Sequence, residues 1–157
     1  MNRRSALNIS AITAVGLALS LNSVAAQTNQ IVGTWTIADA GTAYGPNPKG
    51  SAYFDGNGRF AIILMRSNLP HYASNNRTQG TPADYKSTVE GSLAYFGSYS
   101  VSGTELSLHV DGSTFPNWAG MDQKRINLTV TADELRYTQP NPSGGGAPAQ
   151  LIWKRVK

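Results

Sequence analysis

The chain has 157 residues, no cysteine and a formal charge of +4. That leaves room for one domain with one core, burying about two thirds of the chain's surface, and it excludes a disulfide framework and thiolate metal sites. Arg3 and Arg4 carry two of the positive charges; beyond them no basic run occurs, so nucleic acid is not an expected partner.

Met1-Asn2-Arg3-Arg4 is a short basic region, Ala6 to Leu21 is mostly apolar, and Ser23-Val24-Ala25-Ala26-Gln27 places small residues at cleavage positions. Together they read as a secretory signal peptide over residues 1–26, cut after Ala26. An amphipathic helix would need a polar face, and a membrane anchor a longer apolar run. The expected destination is the periplasm or the cell exterior. Arg3-Arg4 fits a twin-arginine route loosely, and the general secretory route fits equally. The remaining segment, 27–157, is the expected domain. No second apolar segment in it is long enough to span a bilayer.

Short strands separated by turn signals follow. Ile31 to Ala38 is the first, rich in Thr, Ile, Val and Trp. "GTAYGPNPKG" (41–50) is a loop, because its glycines and prolines forbid regular structure. Ser51 to Phe54 and Arg59 to Arg66 are strands joined by the hairpin turn Asp55-Gly56-Asn57-Gly58. Residues 67–80 form a long polar loop. A helix begins at Thr81, with Pro82 at its first position and Asp84 completing a capping-box pattern. It stops near Gly91, and Tyr85, Val89 and Leu93 would give it one buried side.

Strands resume at Leu93 to Val101, Glu105 to Asp111, Gln123 to Thr131, Glu134 to Thr138 and Gln150 to Val156. "ELSLHVD" (105–111) alternates polar and apolar at every step. Between the fifth and sixth strands lies "STFPNWAGM" (113–121), a loop holding Phe115, Pro116 and Trp118. "QPNPSGGGAPA" (139–149) is another loop. The expected fold is all-β: an eight-stranded antiparallel up-and-down barrel with one short helix between strands three and four. A two-sheet sandwich is the rival, since turn spacing alone does not separate the two.

Strand residues two apart share a face. Phe60, Ile62, Leu64 and Arg66 therefore lie together, as do Leu93, Tyr95, Gly97, Tyr99 and Val101. In the fifth strand Leu106, Leu108 and Val110 oppose His109. In the sixth, Ile126 and Leu128 oppose Arg125. A barrel solvated outside would turn Ile126 inward and leave His109 and Arg125 outside, unless a bulge switches the parity.

Several pieces carry a family resemblance: "VGTW" (32–35), "YGPNPKG" (44–50), "DGNGRF" (55–60), "AYFGSY" (94–99), "FPNWAGMDQKR" (115–125) and "LIWKR" (151–155). In this order they span nearly the whole segment after Ala26. The chain resembles the lipocalin-like domain proteins, small bacterial and fungal members of the calycin barrels. The resemblance implies that Gly33 and Trp35 form the signature closing one barrel end, with Arg155 (Lys154 second) packed over the indole. It also implies that Arg66, Tyr95, Tyr99, His109 and Arg125 converge near one mouth, beneath an apolar lip of Phe115 and Trp118.

A cation with two phenols and an imidazole suits a carboxylate, enol or phenol-like ligand. The expected role is an exported barrel that binds a small hydrophobic or amphipathic molecule, including an anionic one. The alternative is a cofactor-free cyclase or isomerase in which His109 moves a proton and an arginine steadies an enolate-like charge. No cofactor motif occurs. His71 and His109, far apart and without a carboxylate cluster, make no expected metal site.

Overall fold

Apolar side chains at alternate positions build eight strands: β1 (Gly33–Asp39), β2 (Lys49–Phe54), β3 (Arg59–Met65), β4 (Ser92–Ser102), β5 (Glu105–Ser113), β6 (Asp122–Val130), β7 (Glu134–Gln139) and β8 (Ala149–Arg155). The computed structural model describes residues 30–157; the expected signal peptide lies outside the described residues. Each strand pairs antiparallel with the next, and β8 returns to β1, so the sheet closes in the order β1 to β8. Closure decides against the sandwich and removes the sheet's open edges.

The barrel has two unlike ends. Short turns join β2 to β3, β4 to β5 and β6 to β7 at one end. The first of these is held by Asp55, whose Oδ1 accepts the N–H groups of Asn57 and Arg59 at 2.9 and 2.7 Å. The long connections β1–β2, β3–β4, β5–β6 and β7–β8 gather at the other end. One of them contains helix α1 (Pro82–Gly91), and another a 3-10 turn, Pro116–Trp118. Thr81 caps α1 reciprocally with Asp84.

The helix differs from its expected packing. Tyr85 is exposed, Val89 is 76% exposed, and only Leu93, already in β4, is buried. The i, i+4 spacing of Tyr85 and Val89 marks a face, but that face points away from the barrel. The preceding loop packs on α1 instead. Tyr72 Oη lies 2.8 Å from Thr88 Oγ1, and its ring meets Tyr85 edge-on at 5.8 Å.

Inside, strict alternation holds for β3, β4 and the first half of β5. Phe60, Ile62, Leu64, Leu93, Tyr95, Tyr99, Val101, Leu106, Leu108 and Val110 are all buried. The β4–β5 register then shifts at Phe96/Gly97. A Cβ on Gly97 would collide with the His109 carbonyl, so the two backbones can approach only because residue 97 is glycine.

Strand β6 breaks the alternation. Its pairing with β7 shifts between Ile126 and Thr129, and Asn127 adopts a left-handed φ of 55°. Before this bulge Arg125 points inward and Ile126 outward; after it Leu128 is buried. The uninterrupted alternation that would turn Ile126 inward and Arg125 outward is therefore corrected: an extra residue re-aims the strand halfway along its length.

The short-turn end is sealed. The Arg155 guanidinium lies over Trp35, 4.0 Å from the ring centroid. Its Nε donates to Ala132 O at 2.6 Å, Nη1 to Val32 O at 2.9 Å and Nη2 to Gln30 O at 2.5 Å. Trp35 Nε1 donates to Ile31 O at 2.9 Å. Every polar atom of this arginine–indole pair is thus satisfied, as burial of polar groups requires.

Candidate functional site

The long-loop end holds the aromatic and cationic groups. The β5–β6 connection turns back at Pro116–Trp118, and Trp118 swings into the core rather than standing at the entrance as a lip. It meets Tyr95 edge-on at 5.2 Å and Phe115 at 6.0 Å. Phe115 is partly buried against the same cluster. Tyr95 also meets Phe60 at 5.7 Å. Offset and edge-on pairs of this kind hold aromatic rings in fixed orientations.

Arg125 reaches this aromatic group from β6. It is 1% exposed, the one fully charged side chain in the core of the described residues. Its guanidinium carbon lies 5.7 Å from the Trp118 ring centroid. Nη1 donates to the carbonyl of Lys124 at 2.9 Å, and Nη2 reaches the Tyr95 hydroxyl only at 3.4 Å. Nε has no hydrogen-bond partner among the described residues. No carboxylate joins it inside, where a buried cation is normally paired.

Two further buried groups share that condition. Tyr137 on β7 and Trp153 on β8 are fully buried, and neither Tyr137 Oη nor Trp153 Nε1 has a partner among the described residues. Burial first, and then the nearby Tyr95, push the Tyr137 phenol well above its ordinary pKa; Arg125 and the Trp153 indole oppose the shift. The indole is thus near enough to act on the phenol without meeting it in hydrogen-bonding geometry. Sequence reading missed both residues. The parity of "ELRYTQ" (134–139) could have placed Tyr137 inside, beside Leu135.

Tyr44 links this interior to the rim. It packs against the core from the β1–β2 loop, and burial pushes its phenol up to about 12, with Tyr95 adding to the shift and Arg66 opposing it. Tyr44, Pro46, Arg66 and Ser67 line a cleft of about 420 Å³. Arg66 lies just past β3, where its Nε donates to Ala43 O at 3.4 Å. A neighbouring cleft of about 510 Å³ runs along Asp39, Pro46 and Asn47. Both clefts lie on the rim, and neither is lined by Arg125.

The other residues singled out from sequence are distributed differently. Tyr99 is inside the barrel but at the short-turn end, its hydroxyl donating to Asp55 O at 2.8 Å. His109 points outward from β5, with Nδ1 2.7 Å from Asp122 Oδ1 on β6. The structure therefore brings Tyr95, Phe115, Trp118 and Arg125 together, sets Arg66 at the rim above them, and separates Tyr99 and His109 from the group. Among the described residues no cluster of His, Asp or Glu could hold a metal ion, and no helix is long and apolar enough to cross a membrane.

Comparisons with known proteins agree with this architecture. The family model described as a lipocalin-like domain matches residues 30–156. Among solved structures, the chain is similar to a lipocalin-like protein from Bacteroides uniformis ATCC 8492, with 17% identity over 81% of this chain and 99% of that one, at a TM-score of 0.46. A redesigned beta barrel aligns at 12% identity over 83% of this chain and 95% of that one, with a TM-score of 0.47. No match was found among curated proteins.

Proposed function

The chain belongs to the lipocalin-like domain family, and from that premise we propose that it is an exported binding protein whose barrel takes a small amphipathic molecule with an anionic group. One observation carries the reading: Arg125 is 1% exposed, has no carboxylate partner and leaves Nε unbonded. A buried, incompletely satisfied cation costs stability in the empty protein. It becomes favourable when a ligand supplies the missing charge and acceptors.

Tyr95, Trp118 and Phe115 form the apolar wall of the site, and Arg125 meets the anion. Entry is from the rim cleft, where Arg66 presents a second, accessible cation and Tyr44 stands between rim and interior. His109 has no part in this reading, because its ring faces outward and pairs with Asp122. The cyclase or isomerase alternative depended on that imidazole reaching the interior.

Titration with the amphipathic dye 1-anilinonaphthalene-8-sulfonate tests the proposal. Saturable fluorescence enhancement at about one dye per chain is expected, lost in Arg125→Met and weakened at low salt in Arg66→Ala. Non-saturating enhancement that is identical in Arg125→Met would overturn it.

A further inference from the structure

The polar atoms left over in the barrel are all donors. Arg125 Nε and Trp153 Nε1 can only donate, and a phenol donates whenever it keeps its proton. The burial that raises Tyr137's pKa ensures that it does so at neutral pH. Each unmet buried donor costs about 1–3 kcal/mol. Three in one barrel, on three adjacent strands β6, β7 and β8, form a donor set without an acceptor.

The set specifies what would complete it. A carboxylate is acceptor-only, with about four lone-pair sites on two oxygens, and can take all three donors. An alcohol or amide brings donors of its own, which would face other donors. Arg125 is the only fully charged side chain in the core of the described residues, which matches one negative charge rather than the two of a phosphate monoester.

The walls limit the ligand's body. Tyr95 is edge-on to Phe60, Trp118 and, through Trp118, Phe115, and most of the remaining interior is filled by Leu, Ile and Val. A flat ring can slide among edge-on aromatics with little rearrangement, whereas a long alkyl chain needs an open channel.

Resting on the binding reading above, we infer that the ligand is a small aromatic carboxylate. Its carboxylate sits on Arg125, Tyr137 and Trp153, and its ring lies against Tyr95 and Trp118. The experiment compares 2-naphthoate with 2-naphthalenemethanol, which has the same ring and a neutral head, by calorimetry on the protein and on Tyr137→Phe and Trp153→Phe. Both variants keep an aromatic ring in place, and thermal unfolding checks that each is folded; data from a variant that does not fold are replaced by those from the other.

The carboxylate is expected to bind at least ten-fold more tightly than the alcohol. Each variant should reduce naphthoate affinity about five- to ten-fold and leave the alcohol unchanged. Equal affinities for the two probes, insensitive to both substitutions, would overturn the carboxylate assignment while leaving a general apolar site standing. Failure of both probes to bind would overturn the assignment together with the binding reading beneath it.

Discussion

The Arg155 guanidinium lies 4.0 Å over the Trp35 ring, with its Nε, Nη1 and Nη2 each donating to a different backbone carbonyl. The pair explains why glycine stands at position 33. A Cβ there would sit 2.5 Å from Arg155 Nη1, and the backbone φ of +140° is one that side-chain-bearing residues rarely adopt. Arg155→Lys keeps the charge but loses the planar fork that serves three carbonyls and the stack at once. It should destabilise the fold by about 2–4 kcal/mol, from the lost stack and hydrogen bonds. Gly33→Ala should cost about 1–3 kcal/mol through backbone strain alone. Urea denaturation measures both; a wild-type midpoint for Arg155→Lys would show that the stack contributes nothing to the closed end.

Arg125 makes the opposite prediction. Its guanidinium is as deeply buried as that of Arg155 is well served, yet it makes one good hydrogen bond and one long one. Replacing a buried, poorly compensated charge by an apolar side chain of similar length is commonly neutral or stabilising. Arg125→Met should therefore leave stability unchanged or raise it by about 1–2 kcal/mol, while abolishing binding of anions. Thermal unfolding without ligand, set beside dye binding, reads both. If Arg125→Met unfolds the chain, the arginine is a structural strut and not a ligand contact.

The difference between these two arginines was only half legible in the sequence. The eight strands, their turns and the single helix follow from period-two patterning and turn chemistry, and they match the structure to within a few residues at each end. Arg155 lies at the end of a regular strand, where position alone suggests its partner. Arg125 lies just before a bulge, and no local pattern in "QKRINLTV" (123–130) signals that one residue is extra. Alternation also cannot tell that Tyr99, on the same face as Tyr95, belongs to the opposite end of the barrel. Nor can it show that the helix's Tyr85 and Val89 face outward, because helical spacing identifies a face but not what it meets.

The bulge can be tested at Asn127, whose φ of 55° is tolerated by asparagine and suits glycine better. Asn127→Gly should retain the fold and its stability to within about 1 kcal/mol. Asn127→Val, β-branched and disfavoured at positive φ, should cost more than about 1 kcal/mol. It should also weaken dye binding, because straightening β6 would turn Arg125 away from Trp118. Tryptophan fluorescence follows the second effect separately, since Trp118 reports the loss of its cationic neighbour. Equal stability and equal dye affinity in the two variants would show that the bulge does not set Arg125's direction.

The tyrosines predict an alkaline limit to stability. Of seven in the chain, Tyr44 is pushed up to about 12, and Tyr99 and Tyr137 are raised as well, burial being the largest cause in each case. Below pH 10 these phenols keep their protons whether the chain is folded or unfolded, so the contribution is constant and fully present. Above pH 10 the unfolded chain releases them and the folded chain does not. The folded state then binds more protons, and stability falls with rising pH. The slope is about 1.4 kcal/mol per pH unit for each phenol so held. For Tyr44 this slope ends near pH 12, where the folded group ionises too. Ultraviolet titration of the folded protein should show these three lagging behind the others, and Tyr137→Phe should flatten the alkaline slope by one group's share. Seven phenols ionising together near pH 10 with the barrel intact would show that the interior around Tyr137 is wet, and would remove the ground for treating its hydroxyl as a fixed donor.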